Sequence, residues 1–417
     1  MAALHVKTLD NLQASGKVVL VRVDLNVPME HGRVADLTRI RVLLPTLTEL
    51  ADQGAKVVLL AHFDRPQGRY VPALSLSPLV DVLQNELNCF GDKPYPVKFG
   101  VDCIGNAAQH AIDAMENGDI LMLENLRFHS GEEENTPQFA SDLAALGDVF
   151  VNDAFSVSHR AHASVVGITE YLPAYAGRLL QKEVEAFDRL LENPQRPLMA
   201  VVGGAKISTK LEILEHLCSK VDTLVIGGAM ANTFLLAQGK AIGTSLHEPN
   251  LVETAKRILA HAKKEGCAII LPQDVVVTHK FAPSAPCEVV SVENMPNDKM
   301  QLDVGPETVL SVATHIRNSK SLIWNGPMGA FETRPFDAST TVLARMVAGR
   351  THSGELFSMA GGGDTVSALS HAGLEDCFSY LSTAGGAFLE WIEGKQLPGI
   401  AALEAENRKF MKTAITN

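Results

Sequence analysis

With 417 residues, 46% of them hydrophobic and 20% charged, the chain is too long for one ordinary core and too apolar for disorder, so two domains of roughly 200 residues are expected. Its net charge of −12 excludes the broad basic surface that a phosphate backbone requires, and no nucleic-acid partner is expected. The cysteines (Cys89, Cys103, Cys218, Cys267, Cys287, Cys377) show neither a CxxC pair nor metal-ligand spacing, and no apolar run reaches membrane-spanning length. Together with an N-terminus, MAALHVKTLD, that has no signal-peptide pattern, this points to a cytoplasmic chain with reduced thiols and no membrane contact.

From Val18 to about Val166, apolar runs of four to eight residues alternate with amphipathic segments, the pattern of βα units feeding a mainly parallel sheet. These runs end in charged or amide residues. VVLVRVDLN reaches Asp24 and Asn26, VVLLAHFDR reaches His62 and Arg65, ILMLENLRF reaches Arg127, and VFVNDAF leads to His159 and Arg160. Ligands of parallel α/β sheets bind beyond the carboxyl ends of the strands. Arg39, Arg65, Arg127 and Arg160, with His62 and His162, are therefore candidates to converge on a phosphate or carboxylate, whose geometry a guanidinium fork matches. Taken singly, each arginine reads more readily as a solvated surface charge; recurrence after successive strands is what points to a site.

GRLLQKEVEAFDRLLEN, from Gly177, carries apolar residues at helical spacing and breaks at Pro194 and Pro197. It predicts an interdomain helix over 176–195, between a first domain at 1–175 and a second at 196–399, and residues 400–417 are free to pack back on the first. In the second series the strands end in glycine: LMAVVGG at Gly203 and Gly204, TLVIGG at Gly227 and Gly228, LIWNGPMG at Gly326 and Gly329, and LFSMAGGG at Gly361 to Gly363.

Three glycine segments are candidate nucleotide loops. In GGAKISTK, two glycines allow close backbone approach, and Lys206 and Lys210 are expected on one face of the following helix near its positive end; the alternative is a tight turn with two solvated lysines. In AGGGDT, Gly361, Gly362 and Gly363 lead to Asp364, Thr365 and a helical run, so free N–H groups can meet a phosphate and Asp364 can hold Mg²⁺, unless it is only a helix cap. In NGPMGAFE, Asn325 and Glu332 flank a turn from which they can receive sugar hydroxyls, although an unliganded turn reads the same way. Neither a GxxxxGK[ST] run nor a GxGxxG fingerprint after the first strand is present.

RVDLNVP at Arg22–Pro28, ENLRFH, VNDAF with HRAHAS, GGAK, WNGPMGAFE, GGGDT and EGKQLPGI occur in one order over nearly the whole chain, which thereby resembles phosphoglycerate kinases. The resemblance implies two Rossmann-like α/β domains with mainly parallel sheets, joined by a hinge helix across a cleft. Asp24, Asn26, Arg39, His62, Arg65, Arg127 and Arg160 would hold 3-phosphoglycerate or 1,3-bisphosphoglycerate. Gly204, Ala205, Lys206, Lys210, Asn325, Pro327, Glu332, Gly361, Gly362, Gly363, Asp364 and Thr365 would hold ADP or ATP, with Mg²⁺ on Asp364. Arg39, Lys206, Gly362 and Gly363 would act on the transferring group, and a monomer is expected. Three segments depart from the family pattern: AHFDRP has Asp64 at a usual glycine, DAFSVSHR replaces DAFGTAHR, and STAGG has Ala384. Asp64 matters most, because a carboxylate beside Arg65 either opposes a phosphate or points to solvent.

The implied reaction moves a phosphoryl group between an acyl phosphate and ADP. A carboxylate is already ionised at neutral pH, so alignment and charge stabilisation, rather than a general base, must supply the catalysis. Two other readings are a silent relative disabled by Asp64 and, by fold analogy alone, a nicotinamide-dependent dehydrogenase.

Overall fold

In a computed structural model, which describes residues 6–91 and 93–405, these residues divide into two units: those up to 185 together with 396–405, and residues 186–395. Residues 406–417, part of the C-terminal segment expected to pack back, lie outside the described residues. The described part of that segment, 400–405, ends a helix over 398–405, and Gly399, just ahead of the segment, donates its N–H to Ser158 O at 2.8 Å within the first unit.

The first unit is built on six parallel strands in the spatial order Val97–Gly100, Ile120–Leu123, Lys56–Leu60, Val18–Arg22, Val149–Asn152, Ala174–Ala176. Val, Ile and Leu fill the central strands because a parallel sheet is covered by helices on both faces. Val19, Leu20, Val21, Val57, Leu59, Ile120 and Val151 are all fully buried. After Val18–Arg22 the chain moves to one side of that strand and later returns to its other side at Val149–Asn152. The order reverses there, where a ligand crevice is expected beyond the strand ends.

The second unit has six parallel strands in the order Ala268–Ile270, Thr223–Ile226, Leu198–Val202, Ser321–Asn325, Phe357–Gly361, Tyr380–Ser382. Numbered along the chain this is 3-2-1-4-5-6, the order of dinucleotide-binding folds, with its reversal between Leu198–Val202 and Ser321–Asn325. Asp274–Thr278 pairs antiparallel with both Glu288–Ser291 and Met300–Val304 in a separate three-stranded sheet.

The chain first passes between units inside the helix Arg178–Phe187, at Glu185 and Ala186, and Asp188–Glu192 continues as a wider turn. Asp153 Oδ1 accepts the N–H groups of Leu179 at 2.8 Å and Leu180 at 3.1 Å, satisfying donors that the first helical turn leaves open. Arg178 is tied to Asp10 at 2.8 Å and Glu49 at 2.6 Å. At the far end Phe187 stacks on Trp391, with ring centroids 4.6 Å apart and planes 1° from parallel.

Candidate functional site

In the first unit the reversal point gathers cations. Arg22 ends the first strand fully buried; its Nε donates to Ser164 Oγ at 2.9 Å, and its Nη2 lies 3.0 Å from His62 Nδ1. Ser164 Oγ in turn donates to Glu132 at 2.6 Å, so a buried carboxylate balances the buried guanidinium through one hydroxyl. Burial raises the Glu132 carboxyl above its ordinary range and lowers Arg22 below its own, each opposed by the other's charge.

His62 is held well below its ordinary pKa, first by burial and then by the charges of Arg22, Arg127 and Arg160, so it is neutral at pH 7. Arginine can only donate, so Nδ1 must accept from Arg22, leaving the proton on Nε2 as a donor for an anion. His162, pushed down to about 3 mainly by burial, is neutral as well. Arg127 is buried, its Nη1 donating to Asp64 O at 2.7 Å and its Nε 3.2 Å from Glu133 Oε1. Arg65 and Arg160 lie close enough to Arg127 that their charges, after burial, help lower its pKa. Like charges gathered this way repel one another, and an anion relieves that repulsion.

Arg39 donates from Nη1 to Asp24 Oδ2 at 3.1 Å and Asn26 O at 2.7 Å, and Asp24 also accepts from Ser156 Oγ at 2.6 Å. These bonds aim a half-exposed guanidinium from the short helix Thr38–Arg41. Asp64 is exposed, with φ at +52°, a left-handed conformation that explains why glycine is usual there and that aspartate tolerates better than most residues. Its backbone performs the loop's work: N–H to Asn26 Oδ1 at 2.9 Å, and O from Arg127. Of the two readings of this carboxylate, the structure shows the solvent-facing one.

In the second unit, Gly203 and Gly326 end neighbouring strands and pack back to back, with Gly203 N–H donating to Asn325 O at 2.9 Å. A Cβ on Gly203 would lie 1.9 Å from Pro327 O, and one on Gly326 2.2 Å from Gly203 O, so no side chain fits at either position. Lys206 and Lys210 are not on one helical face. Lys206 precedes the 3₁₀ turn Ile207–Thr209 and Lys210 precedes the helix Leu211–Cys218, because an extended turn intervenes where a continuous helix was expected.

Lys210 Nζ contacts Asn325 Oδ1, and burial lowers its pKa to about 8 against the opposing charge of Asp364. Asn325 is buried and its Nδ2 donates to Gly361 O at 2.8 Å, so this amide ties two loops together. Thr365 Oγ1 accepts from Gly326 N–H at 2.7 Å and donates to Gly361 O at 2.8 Å, locking the start of the helix Gly363–Ala372 to the same strand ends. The free N–H groups of that helix's first turn and exposed Asp364 stand where a charged ligand can meet them.

Beside these loops lies a cavity of about 360 Å³. Gly204, Ala205, Pro327, Glu332 and Asp364 line it, together with Gly228, Leu246, Phe281, Leu302 and Phe331, which the sequence reading did not single out as ligands. An apolar slot opening onto a polar rim suits a flat base joined to a charged tail. Leu246, Phe281 and Leu302 come from distant segments and carry no motif. TLVIGG, which holds Gly228, and NGPMGAFE, which holds Phe331, were the local signals among them. Arg22, Glu132 and Ser164 were missed for a similar reason, since a buried ion pair bridged by a hydroxyl leaves no spacing pattern.

The family model for phosphoglycerate kinase matches residues 9–395. A protein named phosphoglycerate kinase from Methylorubrum populi is 55% identical over 401 residues, covering 96% of this chain and 99% of its own. Another of that name, from Agrobacterium fabrum, is 54% identical over 398 residues, covering 95% and 98%. The solved phosphoglycerate kinase of Coxiella burnetii superposes with a TM-score of 0.89 at 40% identity, covering 97% of this chain and all of that one. The Pyrococcus horikoshii structure gives 0.79 at 28% identity, with the same coverage.

Proposed function

The chain belongs to the phosphoglycerate kinase family and is a phosphotransferase that interconverts 1,3-bisphosphoglycerate and ADP with 3-phosphoglycerate and ATP; from that premise we propose which residues carry each part of the reaction. The observation that carries the assignment is the gathering of Arg22, Arg127 and Arg160 around neutral His62, with Arg65 beside Arg127, on a molecule of net charge −12. A small polyanion relieves their mutual repulsion, and His62 Nε2–H adds a neutral donor. Asp24, Asn26, Arg39, His62, Arg65, Arg127 and Arg160 form the glycerate site in this reading. Asp24 and Asn26 also hold Arg39 in place.

The cavity of the second unit takes the nucleoside, and Gly204, Ala205, Lys206, Lys210, Asn325, Pro327, Glu332 and the Gly361–Thr365 loop take the sugar and phosphates. Lys210 meets phosphate from a partly dehydrated position, where its charge is only weakly screened. Asp364, an exposed carboxylate on the cavity wall, fits Mg²⁺ shared with phosphate oxygens and water; when bound, the ion would neutralise charge on those oxygens.

Arg39 and Lys206, with the N–H groups of Gly362 and Gly363, stabilise the charge spread over the transferring group. The incoming or leaving carboxylate needs no proton moved. Because the two ligand sets belong to different units, we assign the meeting of the reacting atoms to closure about the Arg178–Glu192 segment, which also sheds water. Six free thiols suit a reducing, cytoplasmic compartment.

Replacing Arg39 or Lys206 with alanine is expected to lower kcat about a hundredfold in a coupled ATP-formation assay, the magnitude typical of losing one transition-state donor. Turnover within about twofold of wild type in either variant would remove that residue from the mechanism. Solution scattering should show a smaller radius of gyration with both substrates than with either alone; an unchanged value counts against closure.

A further inference from the structure

At the open edge of the first unit's sheet, the chain brings together three side chains that metals favour. The edge strand Val97–Gly100 runs into a loop carrying Asp102 and Cys103, and His129 stands in the turn before the short helix Ser130–Glu133. One ligand atom from each, a carboxylate oxygen, Cys103 Sγ and a His129 ring nitrogen, lies within 4.8 Å of the others. We propose that Asp102, Cys103 and His129 form a binding site for a borderline-soft divalent cation of the Zn²⁺ class.

The donor set decides the class of metal. Sulfur and imidazole nitrogen with one carboxylate oxygen suit Zn²⁺ or Co²⁺, whereas Mg²⁺ prefers oxygen alone. A tetrahedral Zn²⁺ with its usual bond lengths separates such donors by about 3.5 Å, so atoms within 4.8 Å of one another need only small side-chain rotations.

The arrangement is partly set in advance. His129 Nε2 is 2.7 Å from Asp102 Oδ1, and the Cys103 backbone N–H donates to that same oxygen at 2.7 Å. The His129 ring packs on Phe139 with centroids 5.4 Å apart, which limits its rotation. The Asp102–His129 hydrogen bond alone accounts for those two residues being adjacent, but it does not require a buried thiol to face the same point. Cys103 is fully buried while the side chains of Asp102 and His129 are 41% and 32% exposed, so the metal would enter from the solvent side and keep a water there. Glu124 and Glu132 act electrostatically on the same thiol and add to the negative field a cation would find. Binding replaces the Cys103 S–H proton by a metal–sulfur bond and releases that proton to solvent.

The test is an optical titration of the full-length, chelator-stripped protein with Co²⁺. One equivalent should produce tetrahedral ligand-field bands and a thiolate-to-cobalt charge-transfer band that Zn²⁺ abolishes and excess Mg²⁺ does not. Cys103→Ser should lose the charge-transfer band, and both it and His129→Gln should bind at least about tenfold more weakly. Absence of a thiolate band in wild type, or its persistence in Cys103→Ser, overturns the proposal, the latter by pointing to another cysteine. Should Cys103→Ser fail to fold by circular dichroism, partly exposed His129→Gln decides: an unchanged Co²⁺ affinity overturns the site, and a tenfold loss supports it.

Discussion

Lys210 is the residue whose environment has the clearest functional consequence. Burial pushes its ammonium down to about 8, whereas an unfolded lysine holds its proton to about 10.4. Between those values the unfolded chain binds more protons than the folded one, so stability of the ligand-free protein rises with pH from about 8 to 10. Lys210→Met should remove that rise, stabilise the ligand-free protein at pH 7 by about 1 kcal/mol, and raise the KM for ADP about tenfold, as urea unfolding and steady-state kinetics would show. Asp64 gives the opposite expectation. Its side chain faces water and its backbone makes the loop's bonds, so Asp64→Gly should leave stability within about 1 kcal/mol and the KM for 3-phosphoglycerate within about twofold. A tenfold fall in that KM would show that the carboxylate does oppose the substrate.

At the scale of elements, two neighbouring strand ends and one buried carboxylate hold the nucleotide loops. Gly203→Ala would drive Cβ to 1.9 Å from Pro327 O and force apart two strand ends that share a hydrogen bond. Chemical denaturation should register a loss of about 3 kcal/mol or more, with the KM for ADP rising. Asp303 anchors the other side of the cavity. It accepts the N–H of Ser339 at 3.0 Å and of Val304 at 2.9 Å, and the Ser339 hydroxyl donates to it as well. Burial raises its carboxyl to about 7, while an unfolded aspartate titrates near 3.9. Between those values the folded state holds the extra proton, so the stabilisation is full below about pH 4 and is lost as pH rises through 7. Asp303→Asn should flatten that decline in a series of unfolding curves from pH 5 to 8, and a decline as steep as in wild type would assign it to another group.

On the scale of the whole molecule, two units with separate cores should report separately on their ligands. Calorimetry with Mg-ADP at a hundred times its dissociation constant should stabilise the nucleotide-binding unit by about 2.7 kcal/mol, while 3-phosphoglycerate shifts the other transition. A single transition shifted by both ligands would show that the units unfold as one.

The amino-acid sequence alone determined the alternation of buried strands and helices, the two-unit plan and the charged and glycine ends of the strands, because each is written in local pattern: apolar runs, helical spacing and glycine after a strand. The ordered motifs also placed the chain in its family. What only tertiary structure decided depends on contacts between segments far apart in the chain. The strand order brings Gly203 against Gly326, and Leu246, Phe281 and Leu302 reach one cavity from three separate stretches. Lys206 and Lys210 precede their helix instead of sharing a face of it, since loop packing around Asn325 outweighed helical periodicity. Arg22, Ser164 and Glu132 form one buried network across 142 positions of sequence, and burial, with the charges of Arg22, Arg127 and Arg160, holds His62 well below its ordinary pKa. Burial and electrostatic environment are properties of the folded chain, and no local window of residues contains them.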